Sequence, residues 1–187
     1  MSELSKFPDQ VTRDQFVPYL NADDIDALTA SLAHTICQKY LGKELAIISV
    51  LKGSLIFTAD FVRKLHGVQV TFDFVKLSAI GRTPTDEGTI IIDHDVATNV
   101  KDKHVLIVEE IIDTGRALKF LVERIQLGRP KSIEILTLFD KPYKRSVSLK
   151  PDYVGKTIED GFLVGYGLDL QEYGRNLKDV YFLKYPN

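Results

Sequence analysis

The chain has 187 residues, 44% hydrophobic and 27% charged, enough for one well-packed core and ordinary for a soluble globular protein. Its 24 Lys and Arg against 26 Asp and Glu leave a formal charge of −2, which argues against a general nucleic-acid binder but leaves room for a local basic patch. A single cysteine, Cys37, excludes an internal disulfide framework and suits a reducing compartment; with no apolar run of spanning length and no secretory h-region, the cytoplasm is the expected location and no membrane partner is expected.

In chain order, residues 1–20 set Phe7, Val11, Phe16, Val17 and Tyr19 among polar residues. Pro8 and Pro18 interrupt any long helix, so an irregular arm with a short strand at most is expected. Asn21 to Asp24 can cap a helix that runs to Tyr40, with apolar residues at 25, 28, 32, 33 and 36, and Gly42 ends it. His34 and Cys37 on this helix have no further ligands flanking them and read as packing or surface residues. Glu44 to Leu51 is a buried strand. It ends in Lys52-Gly53-Ser54 and a helix follows to Leu65, forming a strand-loop-helix unit able to hold an anion, although a plain glycine turn explains the same residues.

Val68 to Val75 alternates and reads as a strand. Residues 78–89 are polar with two Gly and one Pro, a long loop of the kind that is functional or disordered. Ile90 to Ile92 returns as a strand expected to form a hairpin with 70–76, and Asp93-His94-Asp95, whose residue types also suit a metal cluster, reads as a solvated turn. Ser132 to Phe139 is a further strand, closed by Asp140-Lys141-Pro142. Lys141 at its carboxyl end is equally readable as a ligand-binding or a solvated lysine. From Pro151 onward the pattern is short strands and glycine turns.

The organising stretch is Val105 to Leu118. Four apolar residues form a strand, Glu109 and Glu110 follow, then Ile111 and Ile112, then Asp113-Thr114-Gly115-Arg116, and apolar residues at 117, 118, 121 and 122 start a helix. The first N–H groups of a helix lack intrahelical acceptors and the helix dipole favours negative charge there. Two carboxylates just before an anion site call for a polyhydroxylated sugar or a divalent cation. A ligand carrying ribose, phosphate and Mg²⁺ meets all these demands. A simple helix cap at Asp113 or Thr114 is the alternative.

Residues 105–118 resemble the phosphoribosyl-pyrophosphate signature of type I phosphoribosyltransferases, and the Ile-Ile-Asp-Thr-Gly core is most similar to the hypoxanthine-guanine phosphoribosyltransferases. The resemblance covers residues 44–176 and implies an α/β fold: a central, mostly parallel twisted sheet flanked by helices, with a small hood. One domain over 1–187 is expected, with its core at about 40–145 and the hood at about 1–20 and 150–187. Three residues depart from the family's pattern: Glu110 where Asp is usual, Ala117 where Thr or Ser is common, and Ala79 where an aromatic follows Ser78.

The resemblance implies transfer of a 5-phosphoribosyl group from phosphoribosyl pyrophosphate to a 6-oxopurine, hypoxanthine or guanine, in purine salvage, with Mg²⁺ as cofactor. It assigns Glu109 and Glu110 to the ribose hydroxyls, directly or through metal, and Asp113, Thr114, Gly115, Arg116 and Ala117 to the 5′-phosphate cradle. Asp113 is the expected general base. Lys52, Gly53 and Arg175 would meet pyrophosphate, and the Lys52–Gly53 peptide is a candidate for a cis bond. Lys141 would donate to the purine O6, Ile111 and Phe162 would sandwich the ring, and Leu163 would read its edge through the backbone. Asp169 joins the glutamates as a metal-side carboxylate, and Ser78 belongs to a flap. A homodimer or homotetramer is the implied assembly. Rival readings are a regulatory nucleotide- and RNA-binding protein of the same fold, a xanthine- or guanine-preferring enzyme, and an inactive binder motivated by Ala79, Ala117 and Glu110.

Overall fold

A computed structural model describes residues 15–80 and 88–184. Its elements are β1 (Phe16–Leu20), α1 (Ala22–Tyr40), β2 (Glu44–Leu51), α2 (Ser54–Arg63), β3 (Gln69–Ile80), β4 (Thr89–His94), β5 (His104–Ile112), α3 (Arg116–Gln126), β6 (Ser132–Asp140), β7 (Tyr153–Thr157), β8 (Phe162–Val164) and β9 (Val180–Leu183). A single 3₁₀ turn, Pro142–Lys144, follows β6.

Six strands make one sheet in the order β4-β3-β2-β5-β6-β7, parallel except for β4. The apolar runs in β2 and β5 explain its centre: strands covered on both faces have no polar side to offer. Ile47 and Leu106 pack on one face with Ile36 and Tyr40 of α1 and Phe57 and Phe61 of α2. Ile48, Val105 and Ile107 pack on the other with Leu118, Leu121 and Ile125 of α3. Asn21 caps α1 by accepting the Asp24 N–H at 2.9 Å. Parallel strands bring the carboxyl ends of β2, β5 and β6 to one edge, where the turns into α2, into α3 and after Asp140 meet.

The hairpin differs from expectation. β3 runs on to Ile80, and β4 pairs with Lys76 to Ile80, meeting the expected 70–76 only at its last residue. A strand folding back antiparallel meets first the residues nearest its own turn, and β4 ends at His94 before it reaches the earlier part of β3. Ser78 and Ala79 are therefore strand residues, opposite Ile91 and Ile90. The rest of the expected flap, residues 81–87, lies outside the described residues.

A second sheet, β1-β9-β8, is antiparallel and joins the arm to the tail around Phe16, Val164, Leu177 and Leu183. Pro18 sits in β1, an edge strand, where its missing N–H costs no central ladder bond. The expected hood range needs one correction: β7, inside 150–187, is the sixth strand of the large sheet. Gly155 lets it lie close, since a Cβ there would meet the Leu138 carbonyl oxygen at 2.7 Å.

Candidate active site at the carboxyl edge of the sheet

A cleft of about 280 Å³ opens at this edge, lined by Leu51, Glu109, Asp113, Thr114, Gly115 and Ala117 among others. β5 extends through the acidic pair, so Glu109 and Glu110 are strand residues, both half-buried. Burial and the neighbouring Glu110 charge push the Glu109 carboxyl well above the usual range. Burial also raises Glu110, against the opposing influence of a hydrogen bond to Glu109 and of the Arg175 charge. Glu110 Oε2 is buried without a hydrogen-bond partner. The longer side chain at 110 reaches the Lys52–Gly53 loop: a Cβ on Gly53 would lie 1.8 Å from Glu110 Oε1. Gly53 is thus required by close approach, and not by a left-handed φ, since its φ is −64°.

The cis bond is Leu51–Lys52, one peptide earlier than expected. Gly53 is already in the helical region and the Leu55 N–H donates to the Lys52 carbonyl, so the peptide after Lys52 belongs to the first turn of α2 and is trans.

The second loop is built around Gly115, whose φ of +79° ends the strand-to-helix turn and caps α3. Gly115 holds the N-cap position of α3, Thr114 Oγ1 takes only a long hydrogen bond, 3.5 Å, from the Arg116 N–H, and Thr114, Gly115 and Ala117 line the cleft at this helix start. Arg116 reaches across to the Gly88 carbonyl at 3.0 Å. Asp113 Oδ1 lies 3.0 Å from Lys141 Nζ, whose side chain is almost fully buried while that of Asp113 is half exposed. This contact brings the carboxyl ends of β5 and β6 together chemically, and its charges face in the order base, then cation.

Arg145 was invisible in sequence. Its guanidinium pairs with Asp140, both side chains 10% exposed, and donates from Nη1 to the Asp113 carbonyl at 2.6 Å. Its Cδ would sit 2.8 Å from a Cβ on Gly115, and the Ser146 N–H donates to the Thr114 carbonyl at 3.0 Å. The segment after the 3₁₀ turn therefore forms the floor of the 113–115 loop. Lys141, Lys144 and Arg145 lie close together in the chain, with no sequence signal for which one does this.

On the hood side, Arg175 donates from Nη1 to the Gly167 carbonyl at 2.8 Å and pairs with Asp169 at 2.8 Å. Lys52 pairs with Glu172 at 2.8 Å, and Glu172 also stands 3.6 Å from Arg175. Gly167 packs on the first loop: a Cβ there would be 2.0 Å from the Gly53 carbonyl oxygen. So Lys52, Gly53 and Arg175 converge through a glycine contact and a carboxylate that carried no role in sequence. Asp169 Oδ1 holds Arg175, its Oδ2 accepts the Glu172 N–H at 2.8 Å, and its charge adds to the upward push on Glu110. Among the described residues no cluster of three or more His, Cys, Asp or Glu side chains stands at metal-binding spacing.

Ile111 packs against the main core and Phe162 against the hood core. Leu163 is buried on the edge strand β8. Ser78 donates its hydroxyl to Asp93, which also pairs with Lys76 at 2.9 Å. Those two partners hold the Asp93 carboxyl below its usual range. Asp95 pairs with Arg124 at 2.6 Å, so Asp93 and Asp95, read as part of a solvated turn, each anchor a charge.

The family model for the phosphoribosyl transferase domain matches residues 19–171. Hypoxanthine-guanine phosphoribosyltransferases of Staphylococcus aureus strain Mu50 and of Staphylococcus epidermidis strain ATCC 12228 are each 36% identical over 165 residues, 88% of this chain and 92% of theirs. The crystal structure of a hypoxanthine phosphoribosyltransferase from Staphylococcus aureus superposes with a TM-score of 0.87 at 35% identity, covering 93% of this chain and 96% of that one. A hypoxanthine-guanine phosphoribosyltransferase from Bacillus anthracis gives 0.83 at 35%, covering 89% and 97%. With the strand-turn-helix cradle and Glu109 lining the cleft, and the hood residues converging on the Lys52–Gly53 loop, the chain belongs to the phosphoribosyltransferase family.

Proposed function

We propose that the chain transfers the 5-phosphoribosyl group of phosphoribosyl pyrophosphate to hypoxanthine or guanine, giving IMP or GMP and pyrophosphate. The observation that carries this reading is the Asp113–Lys141 pair at 3.0 Å. A 6-oxopurine presents O6 and N7 on one edge. Lys141 donates to O6, and Asp113 takes the N7 proton as the opposite ring nitrogen attacks the anomeric carbon. Adenine carries an amino donor at position 6 and would face a cation with no acceptor to offer. Phe162 and Ile111 supply apolar surface for the ring once the hood closes on it, and Leu163 offers its backbone.

Breaking the anomeric C–O bond leaves an oxocarbenium-like sugar and a departing pyrophosphate. Thr114, Gly115, Arg116 and Ala117 hold the 5′-phosphate, Lys52, Gly53 and Arg175 the pyrophosphate, and Glu109 and Glu110 the ribose hydroxyls. Ser78 lies in the β3–β4 pair, opposite Ile91, and donates its hydroxyl to Asp93. Mg²⁺ fits the acidic pair, where Glu110 Oε2 is buried and unpartnered. This ion takes one or two protein carboxylates with waters and substrate phosphates, and does not need a ready-made protein cage. When bound it offsets the negative charge of the pyrophosphate. Asp169 acts on the same side by orienting Arg175. A single domain with a hood, active as a homodimer or homotetramer in the cytoplasm, completes the reading; no helix is long and apolar enough to cross a membrane among the described residues.

The test is turnover with Mg²⁺, phosphoribosyl pyrophosphate and each of hypoxanthine, guanine, xanthine and adenine. Nucleotide is expected from hypoxanthine or guanine, none from adenine, with Asp113→Asn lowering kcat by about 10²–10⁴-fold. No turnover with any purine, while phosphoribosyl pyrophosphate still binds, overturns it.

A further inference from the structure

We propose that Glu172 is a built-in stand-in for pyrophosphate: in the ligand-free chain its carboxylate bridges Lys52 and Arg175, and only an anion able to engage both cations at once displaces it. This rests on the reading of Lys52 and Arg175 as pyrophosphate-binding and adds a residue that controls how selectively, and how reversibly, that site fills.

One oxygen, Oε2, makes both contacts, at 2.8 Å to Lys52 Nζ and 3.6 Å to Arg175 Nη2. Lys52 arrives from the β2–α2 loop and Arg175 from the hood, 120 residues apart from Glu172 in one case and three in the other. The carboxylate thus ties two separate parts of the molecule across the place where the leaving group must sit. Burial does not hold it there, since its side chain is 64% exposed and that of Lys52 53%. Exposed ion pairs are weak, so a ligand of higher charge can replace this one.

The backbone is shaped to deliver the side chain. Leu170 and Tyr173 exchange hydrogen bonds of 2.9 and 3.0 Å, and the two residues between them, Gln171 and Glu172, have φ of 51° and 72°. Both central positions of such a turn favour Gly or Asn, and left-handed backbone at a long side chain is strained. Here it is Glu, held by its own N–H on Asp169 Oδ2 at 2.8 Å while the other oxygen of Asp169 orients Arg175. Lys52, Arg175, Asp169 and Glu172 sum to zero charge. Removing the Glu172 charge leaves the two cations without their bridge and increases their pull on an incoming diphosphate.

Glu172→Gln and Glu172→Asn remove the charge, the second with a residue that tolerates left-handed φ; Glu172→Asp keeps it. Calorimetric binding of inorganic pyrophosphate with Mg²⁺, without purine, is expected to tighten about threefold to tenfold in both neutral variants and to stay near the wild-type value in Glu172→Asp. In turnover, the KM for phosphoribosyl pyrophosphate falls with it and kcat does not rise, because product leaves more slowly. A residue that merely braced the turn would weaken binding when replaced. Unchanged or weaker pyrophosphate binding in both neutral variants, with wild type binding normally, overturns the stand-in alone. A wild-type protein that does not bind pyrophosphate overturns the pyrophosphate-site reading, and the stand-in with it.

Discussion

Glu134 and Glu109 are the same side chain on neighbouring strands of one sheet, near opposite ends of it. At the amino end of β6, Glu134 receives Lys39 on Oε1 and the hydroxyls of Tyr40 and Tyr153 on Oε2, both at 2.7 Å. Burial alone would raise its carboxyl, but those bonds prevail and hold it below the usual range. At the carboxyl end of β5, Glu109 and Glu110 are pushed up by burial, and Glu109 by its neighbour's charge as well. One end of the sheet completes its electrostatics within the chain. The other leaves them incomplete, and a ligand is needed to finish them.

The sharpest challenge to that division is Arg145, which belongs to the incomplete end yet forms a closed, buried pair with Asp140. Arg145→Ala should cost about 3–5 kcal/mol of stability, because it strands a buried carboxylate. It should also raise the KM for phosphoribosyl pyrophosphate, since the Asp113 carbonyl and Gly115 lose their floor. Urea unfolding and steady-state kinetics on one preparation check both, and Arg145→Lys should recover part of the stability but little of the loop geometry.

Glu109→Gln comes next. Turnover should fall about 100-fold, while the thermal midpoint of the ligand-free protein holds or rises, because a like-charge neighbour disappears. A drop in both would mean that the acidic pair is structural after all. Glu134→Gln should do the reverse: lose about 1–2 kcal/mol, a fall of about 2–8 °C in Tm, with kcat/KM within about twofold of wild type.

The smallest effect is the pH dependence of that last difference. The folded Glu134 value lies below its unfolded one, so its stabilisation is complete above the unfolded value and is lost as pH falls through the folded value. The gap in urea midpoint between wild type and Glu134→Gln should be constant at pH 7 and close below about pH 4.5. Glu109 runs the other way: its folded value is raised, so its contribution is present at low pH and fades as pH rises toward that value. Glu109→Gln should remove this second dependence and leave the first.

Much of this was legible in the chain itself. The runs 45–50 and 105–108 read as strands buried on both faces, Asn21 reads as a cap, and the Glu-Glu-Ile-Ile-Asp-Thr-Gly segment by itself points to ribose, phosphate and metal. Boundaries fared less well at β3 and β7. Polar Ser78 gives no sign that a partner strand will extend β3 to Ile80, and Gly155 reads as a turn until Leu138 is seen beside it.

What the sequence determined was everything set by local period and local chemistry: strands, helices, loops with a glycine where the backbone must bend, and the residue types that handle phosphate. What only the tertiary structure decided was pairing at a distance. Glu110 against Gly53, Gly167 against the Gly53 carbonyl, Arg145 beneath Asp113 and Glu172 between Lys52 and Arg175 each join segments from separate elements, and whether two such groups meet depends on strand order and crossing geometry that no single stretch encodes.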